Sequence, residues 1–275
     1  MKGEVRILRP LNCILAGCVV IIAAFIVLPV SEIMDVWLSI ALAAIAAGLI
    51  SGAGMAINDY VDIDTDAIIH PERPLPSGSI TKEAVLKLSV SLFLVSLILT
   101  AYVNLICFGI ALLVIVLEVG YALYLHKSLL GKNIIVSFAV ALAFIFGGSV
   151  VGKVWARELW ILAILTFVAN VAREIIKDVE DIAGDQYTTR KTFPMVFGIK
   201  WSNWYASLLL GLVIALSPVP FLLDIVGTAY LPLCIVTDII LLYSILRIRK
   251  PTLAQKNIRY AMMVALGAFF AGAVL

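Results

Sequence analysis

Charge is scarce in this chain. Of its 275 residues only 14% are Asp, Glu, Lys or Arg, while 63% are hydrophobic and the mean hydropathy is +1.11. A domain surrounded by water cannot present so little charge, so lipid is the expected solvent for most of the chain. Histidine is scarcer still: His70 and His126 are the two present, neither has a ligand partner nearby in sequence, and both are expected to be solvated in loops. The four cysteines, Cys13, Cys18, Cys107 and Cys234, fall inside apolar runs without metal-ligand spacing, and no disulfide is implied. Alternation of apolar and polar residues is missing from those runs as well. Backbone groups in lipid need partners within the chain, in helices or in a closed barrel, and continuous apolar runs favour helices. A clear cleavage site leading into a soluble domain is also lacking, so the first apolar run is read as a span rather than a signal peptide. Nothing in the composition implies a nucleic-acid partner or an obligate protein partner.

What is present is a series of long apolar runs. Crossing the hydrocarbon takes about 20 residues per helix. Nine runs qualify, at 11–30, 36–57, 83–103, 105–125, 133–153, 158–177, 202–223, 228–247 and 256–275. The expected fold is all-α, a polytopic membrane protein of nine transmembrane helices forming a single domain over residues 1–275. Only Asn104 separates the third and fourth runs, which requires a tight hairpin. The net charge of +2 says little, but its distribution is asymmetric. With the N-terminus inside, 18 of the 20 Lys and Arg fall on the cytoplasmic face, and only Lys153 and Arg157 on the other. That bias places the N-terminus in the cytoplasm and, after nine spans, the C-terminus outside.

The carboxylates are concentrated. Eleven of the 18 lie in residues 59–83 and 174–185, at the cytoplasmic ends of the second and sixth spans. Asp59, Asp62 and Asp66 share a spacing with Asp178, Asp181 and Asp185, with Ile63 and Ile182 in equivalent places. Each segment continues to a basic residue and a proline, through Arg73-Pro74 and Lys191-Thr192-Phe193-Pro194. The match reads as a weak internal repeat over residues 58–78 and 177–198. Asn58, Asp62 and Asp66 lie four apart and share one helical stripe, as do Arg173, Lys177, Asp181 and Asp185. Like charges at that spacing repel and call for a compensating cation. Mg2+ takes oxygen ligands, typically one or two carboxylates with substrate phosphates, and Lys and Arg meet the remaining phosphate oxygens. The pattern therefore points to a metal-bound diphosphate. An EF-hand is excluded, because its sixth and twelfth positions, counted from Asp62, are Ala67 and Arg73 instead of Gly and Glu. Acidic clusters at helix ends on one face also argue against a cation-coupled transporter, whose coupling carboxylates sit near the midplane. A CDP-alcohol phosphotransferase is disfavoured because Ile63, not Gly, follows Asp62.

Two further carboxylates, Glu118 and Asp238, fall inside spans. Ionised groups at that depth cost about 2.5–3.5 kcal/mol or more, so each is expected to face the bundle interior. Glu118 is on the same helix as Tyr121 and Tyr124, whose rings are either cation-stabilising faces in the site or part of an interfacial aromatic belt.

These segments resemble the UbiA superfamily of intramembrane prenyltransferases. Asn58-Asp59-x-x-Asp62-x-x-x-Asp66 matches its first Asp-rich motif and Asp181-x-x-x-Asp185 its second. Arg9-Pro10, the stretch from Arg73 to Gly78, Tyr121 to Lys127, and Lys191 to Gly198 extend the likeness along nearly the whole chain. The short chain, Gly147-Gly148 and the Lys191–Pro194 segment are most similar to the archaeal digeranylgeranylglyceryl phosphate synthases within that superfamily. The resemblance implies a bundle around a central cavity, capped on the cytoplasmic side by short loop helices and open sideways to lipid. It implies that Asn58, Asp62, Asp66, Asp181 and Asp185 hold Mg2+, with Asp59 and Asp178 secondary. Arg73, Lys127 and Lys191 would contact the diphosphate, with Arg173 and Lys177 as further contacts.

The implied reaction transfers a geranylgeranyl group from geranylgeranyl diphosphate to the hydroxyl of a lipid phosphate, geranylgeranylglyceryl phosphate, in ether-lipid synthesis. An aromatic acceptor such as 4-hydroxybenzoate or a naphthoate is the alternative, and a haem or chlorin a further one. Tyr121, Tyr124 and Lys127 would act at the breaking bond, and Asp62 would take the acceptor proton. Arg9, Lys2 or Arg6 would meet the acceptor phosphate unless they serve the anionic membrane surface.

Overall fold

The structure, a computed structural model, describes residues 3–125, 129–185 and 191–275, without the side chains of Thr65, Tyr124, Leu125 and Asp185. The regular elements among the described residues are all helical. In chain order they are α1 (Gly3–Ile7), α2 (Pro10–Val27), α3 (Val30–Val61), α4 (Ile63–Ile69), α5 (Lys82–Val103), α6 (Leu105–Gly120), a π-helical turn (Tyr121–Leu125), α7 (Gly131–Val150), α8 (Arg157–Asp185), α9 (Phe193–Phe197), α10 (Ile199–Leu216), α11 (Val219–Leu222), α12 (Tyr230–Leu246) and α13 (Pro251–Val274).

Among the described residues, eight helices are long and apolar enough to cross a membrane: α2, α3, α5, α6 with its π turn, α7, α8, α10 with α11, and α13. The run expected to span at 228–247 forms α12, a shorter apolar helix of 17 residues. That is about 25 Å of helix against roughly 30 Å of hydrocarbon. The turn before it takes up chain, with Asp224 in the left-handed region at φ 55.

Local sequence explains the breaks. Pro10 opens α2 and Pro29 separates α2 from α3, because proline cannot donate inside a helix. The hairpin expected at Asn104 is present and capped. The Asn104 side chain accepts a hydrogen bond from the Cys107 backbone at 2.8 Å and donates to the Ser149 carbonyl at 3.0 Å. One residue thus starts α6 and ties it to the end of α7.

Packing closes the long helices into a ring. Neighbours run α2–α3, α3–α5, α5–α6, α6–α7, α7–α8, α8–α10, α10–α12 and α12–α13, and α13 returns to α2. The start of α2, the end of α3, the start of α7 and the end of α8 therefore lie at one end of the bundle. The short helices gather there too: α1 against α3, α4 against α8, and α9 against α8 and α10.

Close approach of α2 and α3 depends on small residues. A Cβ at Gly17 would lie 3.0 Å from the Ala44 carbonyl oxygen, and one at Gly48 would lie 3.0 Å from that of Cys13. Cys13-x-x-x-Gly17 thus faces Ala44-x-x-x-Gly48, a small-residue seam that lets two backbones touch in lipid. Gly147 does the same for α7 on α2, with Ala23 Cβ and the Val20 carbonyl both 2.6 Å from its would-be Cβ.

Gly48→Val and Gly147→Val should each lower unfolding stability by about 1–3 kcal/mol through overpacking. Gly109→Val should not, because nothing lies within 4 Å of its would-be Cβ. Thermal unfolding in detergent checks this, and equal midpoints for all three variants would contradict the seam.

Candidate active site

Helix α3 gives way to α4 at Asp62, whose φ −88 and ψ 8 bend the chain without ending its hydrogen bonding. The Asp62 amide bonds to the Asn58 carbonyl at 2.9 Å and the Asp66 amide to the Asp62 carbonyl at 2.8 Å. The stripe of Asn58, Asp62 and Asp66 therefore continues through the bend. The second acidic segment has no such break, since α8 runs on through Asp181 to Asp185. The two halves of the expected repeat thus differ in local structure.

Asp59 and Asp66 are both buried, at 4% exposure each. They are held by arginines from two other segments. Arg9 Nη2, at the entry to α2, donates to Asp59 Oδ1 at 2.6 Å. Arg73 Nη1 donates to Asp66 Oδ1 at 2.5 Å and lies 3.7 Å from Asp59 Oδ1. Burial works against the Arg73 charge, but the Asp66 hydrogen bond and the carboxylates of Asp66, Asp59 and Asp181 outweigh it and raise its pKa above the ordinary value.

Helix α8 reaches the same place. His70 Nε2, just after α4, lies 3.8 Å from Asp181 Oδ1, and its Nδ1 lies 3.6 Å from Glu72 Oε1. His70 is thus a half-buried link between the two acidic segments, where the sequence alone suggested a solvated loop residue. His126 lies outside the described residues.

Along α8 a polar stripe repeats every three or four residues. Glu174, 2% exposed, accepts from Arg173 Nη1 at 2.7 Å and faces Lys177 Nζ at 3.9 Å. Asp178 accepts from Asn133 Nδ2 at 2.8 Å and faces Lys132 Nζ at 3.8 Å, both on α7. Asn170 Nδ2 donates to Ser137 Oγ at 3.1 Å. These bonds fasten the first turns of α7 to α8.

A cavity of about 370 Å³ opens inside this frame. Asn58, Asp62, Arg73, Lys132, Arg173 and Lys177 line its polar part. Val140, Leu142, Phe144, Leu165, Leu266 and Phe269 line an apolar part that continues into the bundle. A charged mouth on an apolar trunk suits an amphiphile with an anionic head and a hydrocarbon tail.

The expected site residues divide accordingly. Asn58, Asp62, Arg73, Tyr121, Arg173 and Lys177 come together on the cavity wall. Tyr121 is 3% exposed, so it faces the interior and does not belong to an aromatic belt. Asp66 and Asp181 stand beside the wall in the contacts above. Lys191 does not join them: it precedes α9 in the connection leaving α8, and its side chain is exposed. Lys177 and Arg173, from within α8, occupy the cavity instead. Lys127 and the side chains of Tyr124 and Asp185 lie outside the described residues.

Of the three cations expected at an acceptor phosphate, Arg9 lines the cavity, Arg6 is exposed, and Lys2 lies outside the described residues. Both charges inside spans, Glu118 and Asp238, line the cavity, and Asp238 accepts from Ser217 Oγ at 2.7 Å. Sequence reading missed Lys132, Glu174 and Arg259. The available signal was a charged residue within an apolar run, which was pursued for carboxylates and not for Arg259; Lys132 stands just before the run at 133–153.

The donor set fits Mg2+. Asn58, Asp62, Asp66 and Asp181 offer only oxygen, and Asp66 Oδ2 is buried without a hydrogen-bond partner. Among the described residues no three acidic, His or Cys side chains form a ready-made cage. Mg2+ does not need one when phosphate oxygens and water complete its octahedron.

The sequence profile of the UbiA prenyltransferase family matches residues 13–271. The chain is 34% identical to the digeranylgeranylglyceryl phosphate synthase of Methanosarcina mazei, over 99% of this chain and 98% of that one. It is 36% identical to the enzyme of the same name from Natronomonas pharaonis, over 99% and 97%. A solved structure reported for digeranylgeranylglyceryl phosphate synthase in membranes superposes with a TM-score of 0.75 at 30% identity, covering 99% of this chain and 98% of that one. A UbiA homolog from Archaeoglobus fulgidus, bound to GPP and Mg2+, shares the fold with a TM-score of 0.69 at 19% identity, covering 98% and 99%.

Arg73→Ala should leave Asp66 buried without its partner and destabilise the protein by about 3–5 kcal/mol. Arg73→Lys should recover only part, because a compact ammonium on a flexible stem lacks the fixed planar donor geometry of the guanidinium. Chemical denaturation in detergent measures this, and wild-type stability in Arg73→Ala would contradict the pairing.

Proposed function

Since the chain belongs to the UbiA prenyltransferase family, we propose that it transfers a geranylgeranyl group from geranylgeranyl diphosphate to the hydroxyl of geranylgeranylglyceryl phosphate, as in archaeal ether-lipid synthesis. The observation that carries this reading is one cavity that joins a cation-rich, carboxylate-bearing mouth to an apolar trunk. A lipid-phosphate acceptor is further favoured by Arg259. It lines the cavity, its Nε is buried without a hydrogen-bond partner, and Arg9 and Arg173 are its electrostatic neighbours. Three guanidinium groups close together suit a second phosphate.

Asn58, Asp62, Asp66, Asp181 and Asp185 would hold Mg2+. Once bound, Mg2+ supplies charge neutralisation to a leaving diphosphate. Arg73, Lys132, Arg173 and Lys177 are placed to take phosphate oxygens, and their charge is worth more in a dry site than in water. As the allylic C–O bond breaks, its electron pair leaves with the diphosphate and positive charge develops on the allylic carbon. Tyr121, buried on the cavity wall, offers that carbon an aromatic face worth roughly 0.5–2 kcal/mol. The apolar trunk holds the tail and keeps water from the cation. The acceptor hydroxyl then forms the ether bond.

In this reading the whole chain is one prenyltransferase domain. The N-terminus and the acidic end of the bundle face the cytoplasm, α12 makes the ninth crossing with local thinning of the bilayer, and the C-terminus is outside.

Purified protein with geranylgeranyl diphosphate and Mg2+ should prenylate geranylgeranylglyceryl phosphate, and EDTA should abolish turnover until Mg2+ is restored. Product with 4-hydroxybenzoate or a naphthoate alone would reject the acceptor assignment. Asp62→Ala and Asp181→Ala should each lose about 100-fold or more in rate. Full turnover by either variant would reject the metal assignment.

A further inference from the structure

Two carboxylates on the cavity wall, Glu118 and Asp238, make no ion pair among the described residues, and Asp238 accepts a hydrogen bond from Ser217 Oγ. Glu118 lies on α6, one turn before the π turn that begins at Tyr121. It lines the cavity, and its Oε2 is buried without a hydrogen-bond partner. A carboxylate kept at such depth in a membrane protein is costly and marks function more often than stability.

Its place is set by a glycine on the facing helix. A Cβ at Gly54 of α3 would fall on the Glu118 carboxyl group, 2.6 Å from Cδ and 2.9 Å from Oε1. The missing side chain at Gly54 is the space that the carboxyl group occupies. Gly54, Asn58 and Asp62 are four apart and share one stripe of α3. Gly54 is about 6 Å deeper than Asn58 at 1.5 Å rise per residue. Glu118 therefore stands one turn further into the cavity than the oxygens expected to hold Mg2+. A prenyl diphosphate with its head at Asn58 and Asp62 and its tail in the trunk brings its first carbon to that level. The acceptor oxygen has to arrive there too.

We propose that Glu118 is the catalytic base that removes the proton of the acceptor hydroxyl. This rests on the prenyl-transfer reading above. The acceptor oxygen forms its bond to the allylic carbon, the carbon–oxygen bond to diphosphate breaks, and the electron pair of that bond departs with the diphosphate. The acceptor proton passes to a Glu118 carboxylate oxygen, and from there to the released diphosphate or to water. The positive charge growing on the allylic carbon supplies the cation that Glu118 otherwise lacks. Asp62 is the poorer choice, because a carboxylate whose lone pairs face a divalent cation is a weak proton acceptor.

The test compares wild type with Glu118→Gln, which keeps size and polarity but cannot accept the proton. Turnover is followed with whichever acceptor the wild type prenylates. Binding of a non-hydrolysable thiolo analogue of geranylgeranyl diphosphate with Mg2+ is measured in parallel. Glu118→Gln should lower kcat about 100-fold or more, with acceptor KM and analogue affinity held within about threefold. Glu118→Asp should restore part of the rate. Gly54→Ala, which displaces the carboxyl group, should lower kcat while leaving analogue binding intact. The proposal is overturned if Glu118→Gln keeps kcat near wild type, or if kcat and analogue binding fall together as a structural role requires. A wild type active on aromatic acceptors alone would instead sink the acceptor assignment, and the Glu118 comparison would then be read on that acceptor.

Discussion

Buried charge has to be neutralised locally, and that constraint shapes one whole end of this bundle. Asp59 and Asp66 sit in a protein interior that lipid surrounds, where an unpaired carboxylate costs several kcal/mol. Arg9 and Arg73 answer them from outside α3 and α4, and His70 bridges from the end of α4 to Asp181 on α8. The partners come from the entry to α2 and from the segment that follows α4. The pairs can form only when α2, α3, α4 and α8 occupy their places together. Electrostatic satisfaction and assembly of the bundle end are in that sense the same event.

Apolar packing brings the charges within reach. The seam of Cys13 and Gly17 on α2 against Ala44 and Gly48 on α3 sets those helices close enough for Arg9 to meet Asp59. Gly147 lets α7 approach α2, and the Asn133–Asp178 bond joins α7 to α8. What remains between these helices is the cavity. Its polar mouth gathers Lys132, Arg173, Lys177 and Arg259 on the wall; the first three face Asp178 or Glu174, and Arg259 makes no ion pair among the described residues. In the proposed reading a diphosphate would bring the missing negative charge, and a divalent cation would meet the lone pairs left over, such as those of Asp66 Oδ2, which is buried without a hydrogen-bond partner.

Much of this could be read from the amino-acid order, because apolar run length and acidic clustering are local properties. The tight hairpin at Asn104 followed from one polar residue between two apolar runs, and the meeting of the two acidic segments from their shared spacing. The roles of individual charges were less legible. Asp59 and Asp178 were read as secondary metal groups, whereas the contacts show them holding Arg9, Arg73, Lys132 and Asn133. The Arg9–Asp59 and Asn133–Asp178 bonds join residues 50 and 45 positions apart, and no spacing rule reports them. Lys132 resembled an ordinary interfacial lysine at a helix start. The shortness of α12 was hidden because the run read at 228–247 took in Thr228, Ala229 and Arg247, which lie outside the helix. Gly54 gave no signal at all until the Glu118 carboxyl group was seen to fill its place.

The central claim is that the ends of α3 and α8 grip one divalent ion together with the diphosphate it neutralises. Electron paramagnetic resonance of bound Mn2+, standing in for Mg2+, with the thiolo analogue of the prenyl diphosphate tests it directly. Metal binding should require the diphosphate and should weaken in both Asp62→Asn and Asp181→Asn. Tight metal binding in either variant, with the diphosphate present, would contradict it.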